Sequence, residues 1–231
     1  RIDLQRTIMN ALKRGPGTPV RLQQEDFEIE RTEHVTRTST VLLLDLSMSM
    51  ELNDRLLPAK KVAVALQSLI ASQFPRDYLG VVGFSYTAYQ LKPEELLTAR
   101  CDYYQGTNIH HALTLARKLL SAQTGTKQVI MITDGEPTAH VMDNGGVYFN
   151  WPPVSATVDA TMKEVLRCTR EGVTINTFMI DADGGLVRFV EQLTKLNRGR
   201  AFFTDSNNLG DYLLVDFLEG RRQATQRRRA G

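Results

Sequence analysis

The sequence contains few cysteines, since Cys101 and Cys168 are the only two among 231 residues. Two cysteines exclude a zinc site built from cysteine alone, and their spacing does not show whether they pair with each other. We expect both to be reduced thiols. Such thiols favour a reducing compartment, so the predicted location is the cytoplasm.

The sequence also has no apolar run of membrane length, no secretory signal and no large excess of one charge. We therefore expect no interaction with a membrane. The formal net charge of +2 neither favours nor excludes nucleic-acid binding. Gly-x-x-x-x-Gly-Lys-Ser/Thr loops and Gly-x-Ser-x-Gly elbows are absent as well, which removes two common classes of enzyme.

The length allows one sizeable core and is short for two full domains. We predict an N-terminal extension and connector at 1–24, one domain at 25–219, and a basic tail or linker at 220–231. The turn-rich stretch 15–19 supports the first boundary, and the arginine-rich stretch 221–229, which lacks apolar periodicity, supports the last. The chain starts with Arg1 rather than methionine, which suggests a piece of a longer protein.

Short apolar runs alternate with stretches of helical periodicity along the chain. The runs predict strands at 39–44, 78–84, 127–133 and 173–180, and less buried or shorter strands at 27–35, 85–91 and 200–204. Helices are predicted at 4–12, 56–74, 109–120, 157–170, 186–196 and 209–218, and a long loop at 135–155. This order is typical of an α/β fold: a doubly wound, mostly parallel sheet with helices on both faces and one antiparallel edge strand.

Several oxygen-bearing side chains lie at the ends of predicted strands or just before a predicted helix. Asp45 ends a buried strand, and Ser47 and Ser49 follow at alternate positions. Thr107 precedes a predicted helix, and Asp134 closes a second buried strand. Carboxyl ends of parallel strands share one edge of the sheet, where open α/β sheets bind ligands. Carboxylates and hydroxyls suit a hard cation such as Mg²⁺.

These residues resemble the metal-ion-dependent adhesion site of von Willebrand factor A (vWA) domains, also called the integrin I-domain fold. The family motif Asp-x-Ser-x-Ser matches Asp45, Ser47 and Ser49, its distant threonine matches Thr107, and its distant aspartate matches Asp134. The resemblance implies that these five residues bind Mg²⁺, with Mn²⁺ or Ca²⁺ as alternatives. It also implies an open coordination position for an Asp or Glu of a partner protein.

Within the superfamily, residues 45–50, 58–60 and 76–84 are similar to bacterial intracellular vWA domains that work with MoxR-type AAA+ ATPases, and to the magnesium-chelatase D subunit. That similarity implies a place in an AAA+ ATPase-linked assembly. Leu46 and Met48 depart from the small residues that are frequent in the family motif, but neither position is a ligand.

Four residues are predicted to form a partner-binding rim around the metal: Glu136, Met48, Tyr104 and Trp151. Glu136 either lines the site or is a solvated loop residue. Trp151 belongs to the long loop together with Met142, Tyr148 and Phe149, and these side chains either form a contact surface or fold back onto the sheet edge. Tyr104 has the same two interpretations. Asn108 is interpreted as a helix-start residue, and the adjacent His110 and His111 as structural.

The most favoured function is therefore a metal-dependent protein-interaction module, and we expect no enzymatic activity. One alternative is a Mg²⁺-dependent hydrolase or phosphotransferase, because a carboxylate at a strand end can be a nucleophile. Against it, position 47 holds Ser47 rather than a second aspartate, and no general base is evident. A second alternative is nucleic-acid binding through the stretch 221–229, which we consider a less favoured function.

Overall fold

The computed structural model describes residues 4–15, 20, 22–28, 37–101 and 104–229, with side chains up to Arg221. Internal contacts divide the chain into two units, Arg1–Val35 and Thr36–Gly231. In the first unit, helix α1 (Leu4–Arg14) is followed by a short 3₁₀ helix (Gln24–Asp26), and Arg14 forms an ion pair with Asp26 at 2.7 Å. Most of the strand predicted at 27–35 lies outside the described residues.

The second unit alternates strands and helices as the apolar periodicity predicts. Its strands are β1 (Thr38–Asp45), β2 (Tyr78–Phe84), β3 (Ala88–Leu91), β4 (Thr126–Thr133), β5 (Ala139–Val141), β6 (Val147–Phe149), β7 (Val173–Ile180) and β8 (Ala201–Thr204). Its helices are α2 (Met48–Leu52), α3 (Leu56–Gln73), α4 (Ile109–Ser121), α5 (Ser155–Arg170), α6 (Gly184–Asn197) and α7 (Leu209–Arg229).

The main sheet has six strands in the order β3-β2-β1-β4-β7-β8. All neighbouring pairs are parallel except β2 and β3, which are antiparallel. This confirms the predicted α/β class and its single antiparallel edge strand. Because β1, β4 and β7 are adjacent and parallel, their carboxyl ends lie at one edge of the sheet.

Strand β1 shows why helices cover both faces, since all eight of its residues are buried. Successive side chains of a strand point to opposite faces. Val41 and Leu43 accordingly pack in a core cluster with residues of α4, α5 and α6. Leu42 and Leu44 pack in a second cluster with residues of α2, α3 and α7.

The span 135–155 was expected to be a long loop, and this is corrected by the structure. It contains a hairpin in which β5 and β6 pair antiparallel, with Ala139 opposite Phe149. Each strand has only three residues, too few for an alternating pattern to be recognised in the sequence.

Helix α7 continues through Arg229, so the helix predicted at 209–218 is longer than expected and includes most of the basic stretch 220–231. Leu209, Leu213 and Phe217 attach its first half to the core. Arg221 contacts Asp77, and its guanidinium carbon lies 4.1 Å from the ring centre of Phe74. Beyond that point arginine, glutamine and alanine are good helix formers and need no apolar face. Within the described part of the chain, no helix combines the length and the apolar character required to cross a bilayer.

Candidate metal centre

The carboxyl ends of two neighbouring parallel strands supply the two acidic residues of the centre. Asp45 is the last residue of β1, and Asp134 directly follows β4. Ser47 is the N-cap residue of α2, and Ser49 lies in the first turn of that short helix. The strand-to-helix turn at 45–48 therefore brings the motif oxygens to the sheet edge.

Asp45 is buried and fixed through both of its carboxylate oxygens. Its Oδ1 accepts a hydrogen bond from the backbone N–H of Ser47 at 2.8 Å, and its Oδ2 accepts one from the hydroxyl of Thr133 at 2.6 Å. The first bond closes the turn after the strand, a frequent role for aspartate. Thr133 was not predicted as a site residue, although it directly precedes Asp134.

The oxygens of Ser47, Ser49 and Asp134 form a chain of close contacts. Ser47 Oγ lies 3.0 Å from Ser49 Oγ, and the Ser49 hydroxyl donates to Asp134 Oδ1 at 2.8 Å. Adjacent ligands of an octahedral ion with bonds of about 2.1 Å are separated by about 3.0 Å. The two observed spacings, which are also ordinary hydrogen-bond lengths, are compatible with that separation, so the residues present fit a small hard cation.

Thr107 lies beside the loop that follows Asp134. A Cβ added at Gly135 would be 3.7 Å from Thr107 Oγ1, which places the hydroxyl next to this loop. The backbone of Thr107 is held by Thr138 through two hydrogen bonds, N–H to Thr138 Oγ1 at 2.8 Å and Thr138 N–H to the carbonyl of Thr107 at 3.1 Å. The structure thus places the hydroxyl of Thr107 next to Gly135, the residue that follows Asp134.

The charge and the residue types of the site are those expected of a site for a hard cation. Burial and then the neighbouring charge of Asp134 raise the pKa of Asp45, because two carboxylates lie close together in a buried site. Among the described residues, no group of three or more His, Cys, Asp or Glu side chains is arranged to hold a metal. Any ion at this edge would therefore depend on hydroxyls in addition to the two carboxylates.

Arg55 is a site residue that the sequence analysis missed. Its Nη1 forms an ion pair with Asp134 Oδ2 at 2.9 Å, and its Nε forms one with Asp181 Oδ2 at 3.1 Å. Asp181 directly follows β7, the next strand of the sheet beyond β4. No sequence pattern marks this contact, because Arg55 is separated by 79 and 126 residues from its two partners.

The four predicted rim residues occupy different environments. Tyr104 and Trp151 are 70% and 69% exposed, and Met48 is half-buried at the start of α2. The Glu136 carboxylate lies against Gly185, where an added Cβ would be 1.7 Å from Glu136 Oε1. The carboxylate of Glu136 is therefore directed to the start of α6. Burial, and to a smaller extent the charge of Asp183, raises the pKa of Glu136.

The aromatic residues of the span 135–155 divide between the two interpretations. Phe149 folds back, since its Cδ2 would lie 3.4 Å from a Cβ added at Gly106, whereas Trp151 is largely exposed. Asn108 is the N-cap of α4, and its Oδ1 accepts from the N–H of His111 at 2.9 Å, as predicted. His110 and His111 accept hydrogen bonds from different backbone N–H groups, those of Val141 and Ala88.

Comparison with known proteins identifies the family of the chain and agrees with its fold. A family model described as "Rv0959-like protein, vWA domain" matches residues 38–218, and one described as "Rv0959-like protein, third domain" matches residues 1–32. The chain belongs to the Rv0959-like family. Its second unit is a vWA domain with the Rossmann-like fold of that class.

The uncharacterized protein Rv0959 of Mycobacterium tuberculosis is 36% identical over 226 residues, covering 94% of this chain and 34% of its own. The chain thus spans about a third of the length of the curated relatives that it matches.

Solved structures show the same fold at low sequence identity. A von Willebrand factor type A protein from Catenulispora acidiphila matches with a TM-score of 0.58 and 17% identity, covering 82% of this chain and 43% of its own. Proximal thread matrix protein 1 from the mussel byssus, with a zinc-occupied MIDAS motif, matches with a TM-score of 0.57 and 18% identity over 78% and 47% of the two chains.

Proposed function

We propose that the second unit is a metal-ion-dependent protein-interaction module that captures a carboxylate of a partner protein. The observation that carries this proposal is the contact chain from Ser47 through Ser49 to Asp134, with oxygen spacings of 3.0 and 2.8 Å. Asp45 stabilises this row of contacts, because its carboxylate accepts a hydrogen bond from the N–H of Ser47 and so fixes the turn that carries Ser47.

The residues of the site would supply two kinds of ligand oxygen, charged and neutral. Asp45 and Asp134 supply negative charge, directly or through water, and the hydroxyls of Ser47, Ser49 and Thr107 supply neutral oxygens. When bound, a divalent ion would offer an electrophilic coordination position to an incoming carboxylate. Neutral hydroxyl ligands leave more of the ion's charge uncompensated than carboxylates in their place would.

The oxygen-only donor set supports Mg²⁺ as the ion, with Mn²⁺ or Ca²⁺ as alternatives. Zinc occupies the MIDAS motif of the mussel protein. Zinc in proteins is generally bound by histidine and cysteine as well as carboxylates, and the residues proposed as ligands here are aspartate, serine and threonine.

The partner in this proposal is a protein with an accessible Asp or Glu, bound in the cytoplasm. The exposed Tyr104 and Trp151 would add contact area beside the metal, since aromatic residues are enriched in interfaces. We place the module in an AAA+ ATPase-linked assembly of the MoxR type, on the similarity of residues 45–50, 58–60 and 76–84 to such domains.

A catalytic role for Asp45 receives no support from its environment. A nucleophilic carboxylate needs an accessible oxygen, but Asp45 is fully buried and both of its oxygens accept hydrogen bonds. We therefore propose binding rather than hydrolysis or phosphoryl transfer as the function.

Replacing Thr107 by alanine should weaken metal-dependent partner capture by at least about tenfold. The immobilised protein is incubated with native lysate in Mg²⁺ or in EDTA, and the captured proteins are quantified by mass spectrometry. Thr107→Ser, which keeps the hydroxyl, should restore capture, and Asp45→Ala should abolish it. Capture that persists in EDTA, or in Asp45→Ala, would contradict the proposed function.

Acidification should weaken the binding of Mg²⁺, and this loss should begin at a higher pH than in a site whose aspartates have their ordinary pKa. Burial and then the charge of Asp134 raise the pKa of Asp45 above the ordinary aspartate value of about 4. Protons therefore compete with the ion at a higher pH than they would at an ordinary aspartate. Isothermal titration calorimetry at several pH values between about 8 and about 5 should show a progressive loss of affinity with proton release. Constant affinity across this range would be inconsistent with the buried carboxylate pair as the ligand set.

A further inference from the structure

Three acidic residues lie at the ends of three consecutive parallel strands of the main sheet, and a single arginine joins two of these residues. Asp45, Asp134 and Asp181 lie at the carboxyl ends of β1, β4 and β7. The Arg55 guanidinium bridges Asp134 and Asp181 at 2.9 and 3.1 Å. The side chain of Arg55 is 17% exposed and that of Asp134 is fully buried. The bridge is therefore shielded from solvent on the side of the metal centre.

The backbone on both sides of the bridge holds it in place. Asp54 has a φ of 55°, a left-handed conformation that turns the chain between α2 and α3. The N–H of Arg55 then donates to the carbonyl of Met50 at 2.8 Å. Asp181 also has a positive φ of 49°, and its N–H donates to the carbonyl of Thr204 at 3.0 Å. Because both ends are anchored, the guanidinium is held against one oxygen of Asp134.

The other oxygen of Asp134 faces the hydroxyl of Ser49. One carboxylate is thus shared between a fixed cation and the proposed metal ligands. A permanent positive charge at this position opposes a second cation nearby and favours an anion that approaches it. Burial strengthens both effects, because a shielded charge is screened less by water and salt.

We propose that Arg55 is a positioning residue that sets the charge of the metal centre: it lowers affinity for the cation and raises the affinity of the loaded site for a carboxylate. This inference rests on the proposed function. Asp181 acts in the opposite sense, because it compensates part of the charge of Arg55.

The first experiment measures Mg²⁺ binding by isothermal titration calorimetry at a fixed pH near 8. Arg55→Gln, which keeps a donor toward Asp134 but removes the charge, should bind Mg²⁺ about tenfold more tightly than the wild type. Arg55→Lys keeps the charge and should stay within about twofold of the wild type. Asp181→Asn, which tolerates a positive φ, should bind about threefold more weakly. Circular dichroism confirms that each variant is folded.

The second experiment measures the open coordination position with acetate as the probe. Acetate is titrated into the Mn²⁺-loaded protein, and its binding is followed by the loss of water-proton relaxation enhancement as it displaces bound water. Arg55→Gln should bind acetate several-fold more weakly, and Arg55→Lys should resemble the wild type. A residue with only a structural role would not change the two affinities in opposite directions.

The outcomes separate this inference from the proposed function. Wild-type binding of Mg²⁺ that is equal to or tighter than that of Arg55→Gln overturns the role of Arg55 and leaves the metal site standing. Weaker Mg²⁺ binding in Arg55→Lys as well as in Arg55→Gln would show that geometry rather than charge is what Arg55 supplies, which also overturns it. Failure of the wild type and of Arg55→Gln to bind Mg²⁺ overturns the proposed function, and this inference with it.

Discussion

Replacing Asp45 by asparagine should lower the affinity for Mg²⁺ by about 100-fold or more while leaving the fold intact. The substitution removes one of two carboxylates from a buried site, where charge is poorly screened. The amide oxygen can still accept the hydrogen bond from the N–H of Ser47, and the amide nitrogen can donate to the hydroxyl of Thr133. The site thus keeps its shape and loses one of its two carboxylates.

The metal-free variant should be at least as stable as the wild type, because burial and Asp134 raise the pKa of Asp45 and make its ionised form costly. Mg²⁺ should raise the melting temperature of the wild type and not that of the variant. Asp159→Asn serves as the matched control, since it removes the same charge from an exposed position on α5. An equal response to Mg²⁺ in Asp45→Asn and the wild type would exclude Asp45 as a ligand.

Replacing Glu164 by alanine should lower the free energy of unfolding by about 3 kcal/mol. The Glu164 side chain is fully buried, and it accepts hydrogen bonds from Arg117 Nε at 2.6 Å and from Arg167 Nη1 at 2.8 Å. The bond from Arg117 joins α4 to α5 on one face of the sheet, and the bond from Arg167 lies within α5. Removing the carboxylate leaves two guanidinium groups without their buried partner, and part of that cost is recovered because both arginines reach solvent.

Glu171→Ala provides the matched comparison, because Glu171 binds the same arginine at 2.8 Å but is 41% exposed. Its loss should cost less than about 1 kcal/mol, as for other exposed ion pairs. Urea unfolding with an unchanged m-value measures both differences. A similar cost for the two variants would show that burial does not strengthen the interaction of Arg117 with Glu164.

The main sheet could be predicted from the sequence because its strands are buried on both faces. Apolar runs such as 41–44 and 129–132 have no alternation to interpret, and their length and flanking helices indicate parallel strands. The hairpin of β5 and β6 could not be predicted, since three-residue strands depend on pairing with each other rather than on their own pattern. The extension of α7 was missed because its residues are good helix formers without apolar periodicity.

The proximity of most of the proposed ligands could be predicted for a related reason. Asp45, Ser47 and Ser49 lie close in sequence, and strand order places Asp134 beside them. The rim residues depend on the path of loops, which packing determines. Glu136 was predicted to line the site or to be solvated, and the structure shows its carboxylate at the start of α6, where Gly185 leaves room for it.

The sequence by itself determined the order of the main-sheet strands and of the long helices along the chain, because both follow from local apolar patterning. Its resemblance to the vWA family singled out five oxygen-bearing residues. The tertiary structure alone decided the charge around those residues. Arg55 meets Asp134 and Asp181 only because β4 and β7 are neighbours and a left-handed Asp54 turns the chain toward them. Electrostatic energy depends on distance in space, and no local pattern encodes a contact across 126 residues.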